Sequence, residues 1–296
     1  MRGWWHDLTD LVLPAECGGC GRPRTVLCPE CRAALHGTAP RRVRPVPEPA
    51  GLPSVHAAAP YAGAVRAMLL AHKERGVLTL ARPLGTALAG AVRAGLGEAG
   101  SRAVVRRQAE GAVREGGRPP VLLVPVPSAR RAVRARGHDP TRRIALAAAG
   151  ELRRTGTVAR VVAVLRQRRA VADQSGLDAR QRLDNLAGAL EVAEGGARLL
   201  ADGPVVLVDD LMTTGASLAE AARAVRAAVG HPRRRDTEVY ARAAGEARGE
   251  RRTVETMAVA SRSRLFPGMP AALGVEEGIR AAVIAVSPGS FEINRN

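Results

Sequence analysis

The chain has 296 residues, enough for one large domain or two smaller ones, and 46% of them are apolar, which supports a buried core. That core is aliphatic, since Phe, Tyr and Trp occur only twice each. The formal charge is +17, but Lys73 is the only lysine among 45 basic residues, an arginine skew typical of a GC-rich genome. With so few rings to stack on bases, the charge is compatible with weak, non-specific contact with single-stranded DNA and does not indicate dedicated base readout. No stretch approaches the roughly 20 apolar residues of a membrane span. The opening "MRGWWHDLTDLVLP" is too short, and too interrupted by Asp7 and Asp10, for a secretory signal. A cytoplasmic protein is expected.

All four cysteines fall in "CGGCGRPRTVLCPEC", with the spacing C-x2-C-x7-C-x2-C. Each C-x2-C pair lets two thiolates reach one ion while the backbone between them turns. Cys17, Cys20, Cys28 and Cys31 would complete a tetrahedral structural Zn²⁺ shell. The alternatives are two disulfides or a redox dithiol; a cytosolic setting disfavours the first, and the second does not need two pairs. From Pro40 to Pro53, "PRRVRPVPEPAGLP" reads as a semi-rigid linker with no helix or ladder of its own. This divides the chain into a zinc ribbon over 1–40, a linker over 41–54 and a main domain over 55–296.

Within the main domain, "YAGAVRAMLLAHKERG" (61–76) has apolar residues at helical spacing and stops at Gly76. A second helix is expected over 78–97, followed by a polar, irregular excursion over 100–118. "PVLLVPVP" (120–127) is a buried strand closed by prolines. "DPTRRIALAAAGELRR" (139–154) is a helix, capped by Asp139 with Pro140 at its first position. "VARVVAVLR" (158–166) is a strand, and "LDARQRLDNLAGAL" (177–190) a short helix capped by Asp178. A strand over 205–208 leads to a helix over 217–229, and "AAVIAVS" (281–287) is a last strand that pairs into the sheet. The charged, weakly patterned 231–279 reads as an insertion before that strand. Strands alternating with helices predict an α/β fold with a doubly wound, mainly parallel sheet, whose ligand lies beyond the carboxyl ends of the strands.

That position is occupied by "VVLVDDLMTTGAS", an apolar strand ending on Asp209 and Asp210. Adjacent carboxylates repel each other, so a cation between them and a ligand is expected. A Walker B strand would require a G-x-x-x-x-G-K-[ST] loop, which a chain with one lysine, in "AHKERG", does not contain. Two acids capping a turn is the plainer alternative. Against it, Thr213, Thr214, Gly215, Ala216 and Ser217 follow at once, where backbone N–H groups and a helix dipole meet at the start of a helix. That combination suits a phosphate with vicinal hydroxyls beside it, the hydroxyls held by the carboxylates directly or through Mg²⁺ waters.

"VVLVDDLMTTGAS" resembles the phosphoribosyl-pyrophosphate motif of type I phosphoribosyltransferases. Together with the cysteine knuckles, "YAGAVRAMLLAHKERG", "VPVPSARRAVRARGH", "DQSGLDARQRLDN" and the closing "FEINRN", the chain is similar to the ComF family outside 98–118 and 231–279. The resemblance implies a type I phosphoribosyltransferase fold behind a zinc ribbon. It also implies phosphoribosyl pyrophosphate with Mg²⁺ as ligand, transfer of phosphoribosyl with release of pyrophosphate, and association with competence and DNA-uptake proteins. The alternative is a non-catalytic phosphoribosyl-binding or nucleic-acid-associated module of that machinery.

By motif, Asp209 and Asp210 would contact ribose and Thr213 to Ser217 the 5′-phosphate. The resemblance brings Ser128, Arg130, Arg136 and Lys73 to the pyrophosphate, and makes 166–185 a mobile loop carrying Arg166, Gln174, Arg182 and Asn185. Asp209, Asp210, Arg136 and Arg182 are the residues expected to carry catalysis. The chain departs from the family pattern at "RGHDP", where Arg-Gly-Phe-Asn-Gln is usual, and at "NLAGAL", which lacks a closing phenylalanine.

Overall fold

The computed structural model describes residues 16–110, 119–169, 179–230, 278–288 and 290. Its first helix, α1 (Pro29–His36), has Cys28 at the N-cap accepting the Cys31 N–H, and Pro29 at the first position, where a missing N–H is harmless. Strands β1 (Arg41–Val43) and β2 (Ser54–Pro60) follow and pair antiparallel, with Val43 opposite Val55. The segment expected to be free of any ladder therefore contains a short edge strand. Its prolines flank the three paired residues, and edge positions tolerate proline nearby.

Helix α2 (Gly63–Lys73) falls inside the expected 61–76 and buries Val65, Met68, Leu69, Ala71 and His72. After a 3-10 turn at Leu78–Leu80, α3 (Ala81–Glu110) runs well past residue 97. The stretch 100–110, expected to be irregular, is helical, because its Ala, Arg, Gln and Glu residues favour helix even without an apolar stripe. Strand β3 (Val121–Pro125) is fully buried and leads through the short α4 (Arg130–Arg136) into α5 (Pro140–Arg154). Asp139 caps α5 as expected, its carboxylate accepting the Arg142 N–H at 3.1 Å. Ile144, Ala145, Ala148, Ala149 and Leu152 form the buried stripe of α5, and the helix packs on α3. At that crossing a Cβ on Gly85 would lie 2.5 Å from Ala147 Cβ and 2.8 Å from Ala148 N, so the backbones approach as only glycine allows.

The single strand expected over 158–166 is two. Strand β4 (Ala159–Val161) joins the main sheet, whereas β5 (Leu165–Gln167) pairs antiparallel with β6 (Leu190–Val192). The bend between them is fixed by hydrogen bonds: Val162 N–H reaches Leu123 O at 2.8 Å, and Val164 N–H folds back to Val162 O at 3.0 Å. Helix α6 (Ala179–Leu186) covers the middle of the expected 177–190, whose last residue already belongs to β6. Helix α7 (Gly196–Leu200), β7 (Val205–Met212), α8 (Ala216–Gly230) and β8 (Arg280–Val286) complete the fold.

The architecture is α/β. Six strands form one mixed, mostly parallel sheet in the order β1-β2-β8-β7-β3-β4, with only the β1–β2 pair antiparallel. One face packs Leu123, Val206, Val208, Ala282 and Ile284 against apolar residues of α2, α3 and α5. The other packs Val124, Val205, Leu207 and Val283 against Leu218, Ala222 and Val225 of α8. Each fully buried Val or Leu of these central strands contributes about 1.5–3 kcal/mol. Cys17, Cys28, Cys31 and Leu35 share the first cluster with Leu80 and Leu84, so the knuckles lean on the same core as the sheet. No described helix is long and apolar enough to cross a membrane. The expected insertion lies outside the described residues as far as 277, as do the Asp178 cap and the closing segment from 291.

Candidate functional site

The strand order sets a crevice. Strand β3 leads through α5 to β4, outward along one face, while its neighbour β7 leads through α8 to β8 in the opposite direction along the other face. Two adjacent parallel strands whose connections part in this way leave an opening beyond their carboxyl ends. Pro125 is in register with Val208, and Val126 N–H donates to Val208 O at 2.9 Å. The residues after β3 and the acids of β7 are therefore side by side.

Strand β7 does not stop at Val208 as its apolar run predicts; the acids are inside it, with Asp209 opposite Val283 and Leu211 opposite Ala285. Successive strand residues start out toward opposite faces, yet the two carboxyl groups remain close enough for the Asp210 charge to act on Asp209. Asp210 turns to the α2 face, where Lys73 Nζ donates to Asp210 Oδ2 at 2.9 Å. Asp210 keeps only 7% of its side-chain exposure beside this ammonium. Burial alone would pull the Lys73 ammonium down, but the Asp210 and Asp209 charges outweigh it and hold it above the usual lysine value. Burial, and then the Asp210 charge, push the Asp209 carboxyl well above the usual aspartate range, against the pull of Lys73. Asp209 Oδ1 accepts the Asp210 N–H at 2.9 Å.

The turn after β7 contains exposed Thr213, half-buried Thr214 and Ser217, and buried Gly215 and Ala216. Gly215 has φ +78°, and a Cβ there would lie 3.2 Å from Leu52. This turn needs glycine for its conformation as well as its space. Thr214 Oγ1 accepts the Ala216 N–H at 3.5 Å at the start of the 15-residue α8, whose first-turn N–H groups have no partner within the helix.

Of the arginines expected at a pyrophosphate, Arg136 is held by Glu74: Nε donates to Oε2 at 3.0 Å and Nη2 to Oε1 at 2.7 Å. Glu74 follows Lys73 directly, so the end of α2 reaches both β7 and α4. His138 fastens the same corner, its Nδ1 3.1 Å from Arg136 O and its Nε2 3.3 Å from His72 O. Ser128, Arg130 and Arg166 line one cleft of about 300 Å³ with Pro127, Arg134 and Gln167. Asp209, Asp210 and Thr213 to Ser217 do not line it, and neither do Lys73 and Arg136. Arg166 also pairs across the hairpin, its Nε donating to Glu191 Oε1 at 2.8 Å. Arg182 is half-buried, with an Nε that has no hydrogen-bond partner among the described residues. Asn185 O accepts from Arg169 Nη2 at 2.9 Å, and Gln174 lies outside the described residues.

Sequence reasoning missed Glu74, Arg134 and Gln167. The signal for Glu74 was its place beside the lone lysine; Arg134 and Gln167 each sit one helical turn or one residue from a residue already singled out.

The four cysteine Sγ atoms lie within 4.8 Å of one another, a set compatible with one tetrahedral zinc ion. A Cβ on Gly19 would meet Cys31 Sγ at 2.6 Å, which explains a glycine in the first knuckle. Burial alone would raise the Cys17 thiol, but the N–H groups of Cys28, Cys20 and Gly19 aimed at its sulfur bring it down to about 6. Burial and the neighbouring Cys28 push Cys31 up. A zinc ion held by Cys17, Cys20, Cys28 and Cys31 would take all four as thiolates. Compared with protein-family models and with curated proteins, the chain matches none.

Proposed function

We propose that the chain binds phosphoribosyl pyrophosphate with Mg²⁺ and is a ComF-like protein of type I phosphoribosyltransferase fold carrying a structural zinc. The observation that carries this reading is the β7 turn. Two carboxylates at the switch-point crevice are followed within five residues by a hydroxyl-rich turn that needs glycine and opens onto the start of α8. A ribose 5-phosphate has vicinal hydroxyls for the first and a dianion for the second. Carboxylate oxygens also suit Mg²⁺. With Asp210 Oδ2 on Lys73 and Asp209 Oδ1 on a backbone N–H, the other oxygen of each carboxylate is the one for a hydroxyl or a hydrated ion.

In the enzymatic form of the reading, pyrophosphate leaves ribose C1 as the acceptor arrives. Bound Mg²⁺ supplies charge neutralisation for the leaving group. The chain's own residues position the sugar and pair with the departing anion, Arg136 and Arg130 through their planar forks. One observation favours the non-catalytic alternative: both ring nitrogens of His138 face backbone carbonyl oxygens, which leaves it ill-placed as a general base.

Calorimetric titration with phosphoribosyl pyrophosphate and Mg²⁺ tests the binding, and a pyrophosphate-release assay over a panel of nucleobases tests the chemistry. Saturable binding lost in Asp210→Asn and weakened in Gly215→Ala supports the reading. Binding indifferent to both, with the fold intact by circular dichroism, refutes it. Binding without release under any base selects the non-catalytic form.

A further inference from the structure

The end of α2 carries two ion pairs on consecutive residues, and their surroundings differ. Lys73 pairs with Asp210, a carboxylate 7% exposed, whereas Glu74 is 48% exposed and pairs with an Arg136 that is 21% exposed. A buried pair holds its partners because either one, left alone, would be an uncompensated charge in the interior. An exposed pair is weak and exchanges readily with solvent ions. The Glu74 carboxylate grips Arg136 side-on through Nε and Nη2, the two-point geometry that a phosphate oxygen pair also uses.

The backbone that carries this guanidinium is held at a fixed corner. Arg136 ends α4, Gly137 turns the chain at φ +71°, and the His138 ring lies between Arg136 O and His72 O, the latter on the same helix end as Glu74. The root of the arginine is therefore fixed in place while the anion on its fork is replaceable.

We infer that Glu74 is an internal competitor for the anion site of Arg136. It occupies the guanidinium fork in the resting protein, is displaced by the pyrophosphate group, and returns when that group departs, so that it sets pyrophosphate affinity. This rests on the phosphoribosyl-pyrophosphate reading for the identity of the anion. Lys73 does not exchange in the same way, because Asp210 would be left buried and unpaired. The adjacent residues thus divide the work: Lys73 maintains the acid strand, and Glu74 governs access to the cation opposite.

A competitor and a merely structural residue predict opposite signs. In calorimetric titration of the full zinc-loaded chain with inorganic pyrophosphate and Mg²⁺, Glu74→Gln should bind about two- to fivefold tighter than the parent, the range expected for releasing an exposed ion pair. The gain should vanish in an Arg136→Gln background, and ribose 5-phosphate affinity should not change. Glu74→Ala should show the same gain. Unchanged or weaker pyrophosphate binding in both Glu74 variants, a gain that survives loss of Arg136, or no pyrophosphate binding by any variant overturns the inference. Asp210-dependent binding of phosphoribosyl pyrophosphate with no Glu74 effect would remove the inference and leave the functional reading standing. The Glu74 effect on pyrophosphate without any binding of ribose 5-phosphate would do the reverse.

Discussion

Replacing Lys73 by methionine keeps the length and apolar stem of the side chain and deletes a charge that acts on both aspartates. At the observed 2.9 Å separation from Asp210, the Coulomb attraction is about 6 kcal/mol at an effective dielectric of ~20. Lys73 is 34% exposed, so water screens much of this and hydrates the ammonium in the unfolded chain; a net loss of about 2–3 kcal/mol remains. The loss should depend on pH. Asp209 titrates well above the ordinary aspartate value of about 3.9. Between those two values the folded state binds more protons than the unfolded one, so the penalty of burying the carboxylate is relieved as pH falls. Without Lys73 that window extends further upward. Urea denaturation of Lys73→Met should therefore show a larger deficit relative to the parent at pH 8 than at pH 5. The double variant Lys73→Met/Asp210→Asn should recover part of it, because the orphaned buried charge is gone. A deficit below about 0.5 kcal/mol at pH 8, a deficit that does not change with pH, or a double variant no more stable than Lys73→Met would refute the reasoning.

Cys28→Ser should abolish stoichiometric zinc measured by atomic absorption. Because Cys17, Cys28 and Cys31 belong to the core cluster shared with α2, α3 and α5, it should also lower the melting temperature of the whole chain rather than uncouple a separate transition. A variant that loses zinc but melts as the parent does would contradict that coupling. Gly85→Ala should force α3 off α5 and cost about 1–3 kcal/mol by chemical denaturation. A neutral or stabilising result would mean that the crossing is looser than the 2.5 Å approach to Ala147 indicates.

What could be read from the sequence was what local chemistry decides. Asp139 and Pro140 announced α5, the alternation of strands and helices announced a mainly parallel sheet, and the cysteine spacing announced a four-sulfur cluster. Elements decided by distant partners were misjudged. Strand β7 reaches Met212 because β8 supplies a ladder for acids that no propensity would place in a strand. The "SVHAAAP" strand went unnoticed because alanine has little β preference, and it exists through pairing with Ala281 to Val286. The run 158–166 looked continuous, yet a turn at Val162 sends its halves to different sheets. At the site, Asp210 and Lys73 were each singled out, but their contact spans 137 positions and Arg136 meets Glu74 across 62, separations no motif encodes.

Strand β8 is the last of the described strands in the chain, yet it lies in the middle of the sheet, between β2 and β7. During synthesis β2 and β7 are finished long before the strand that joins them exists, and each then has an open hydrogen-bonding edge. Until Arg280 to Val286 leaves the ribosome, the sheet is two separate halves, with the acid-bearing strand on the rim of one and apolar edges available for wrong pairing. Truncation or premature termination anywhere before residue 286 removes the keystone and not a tail.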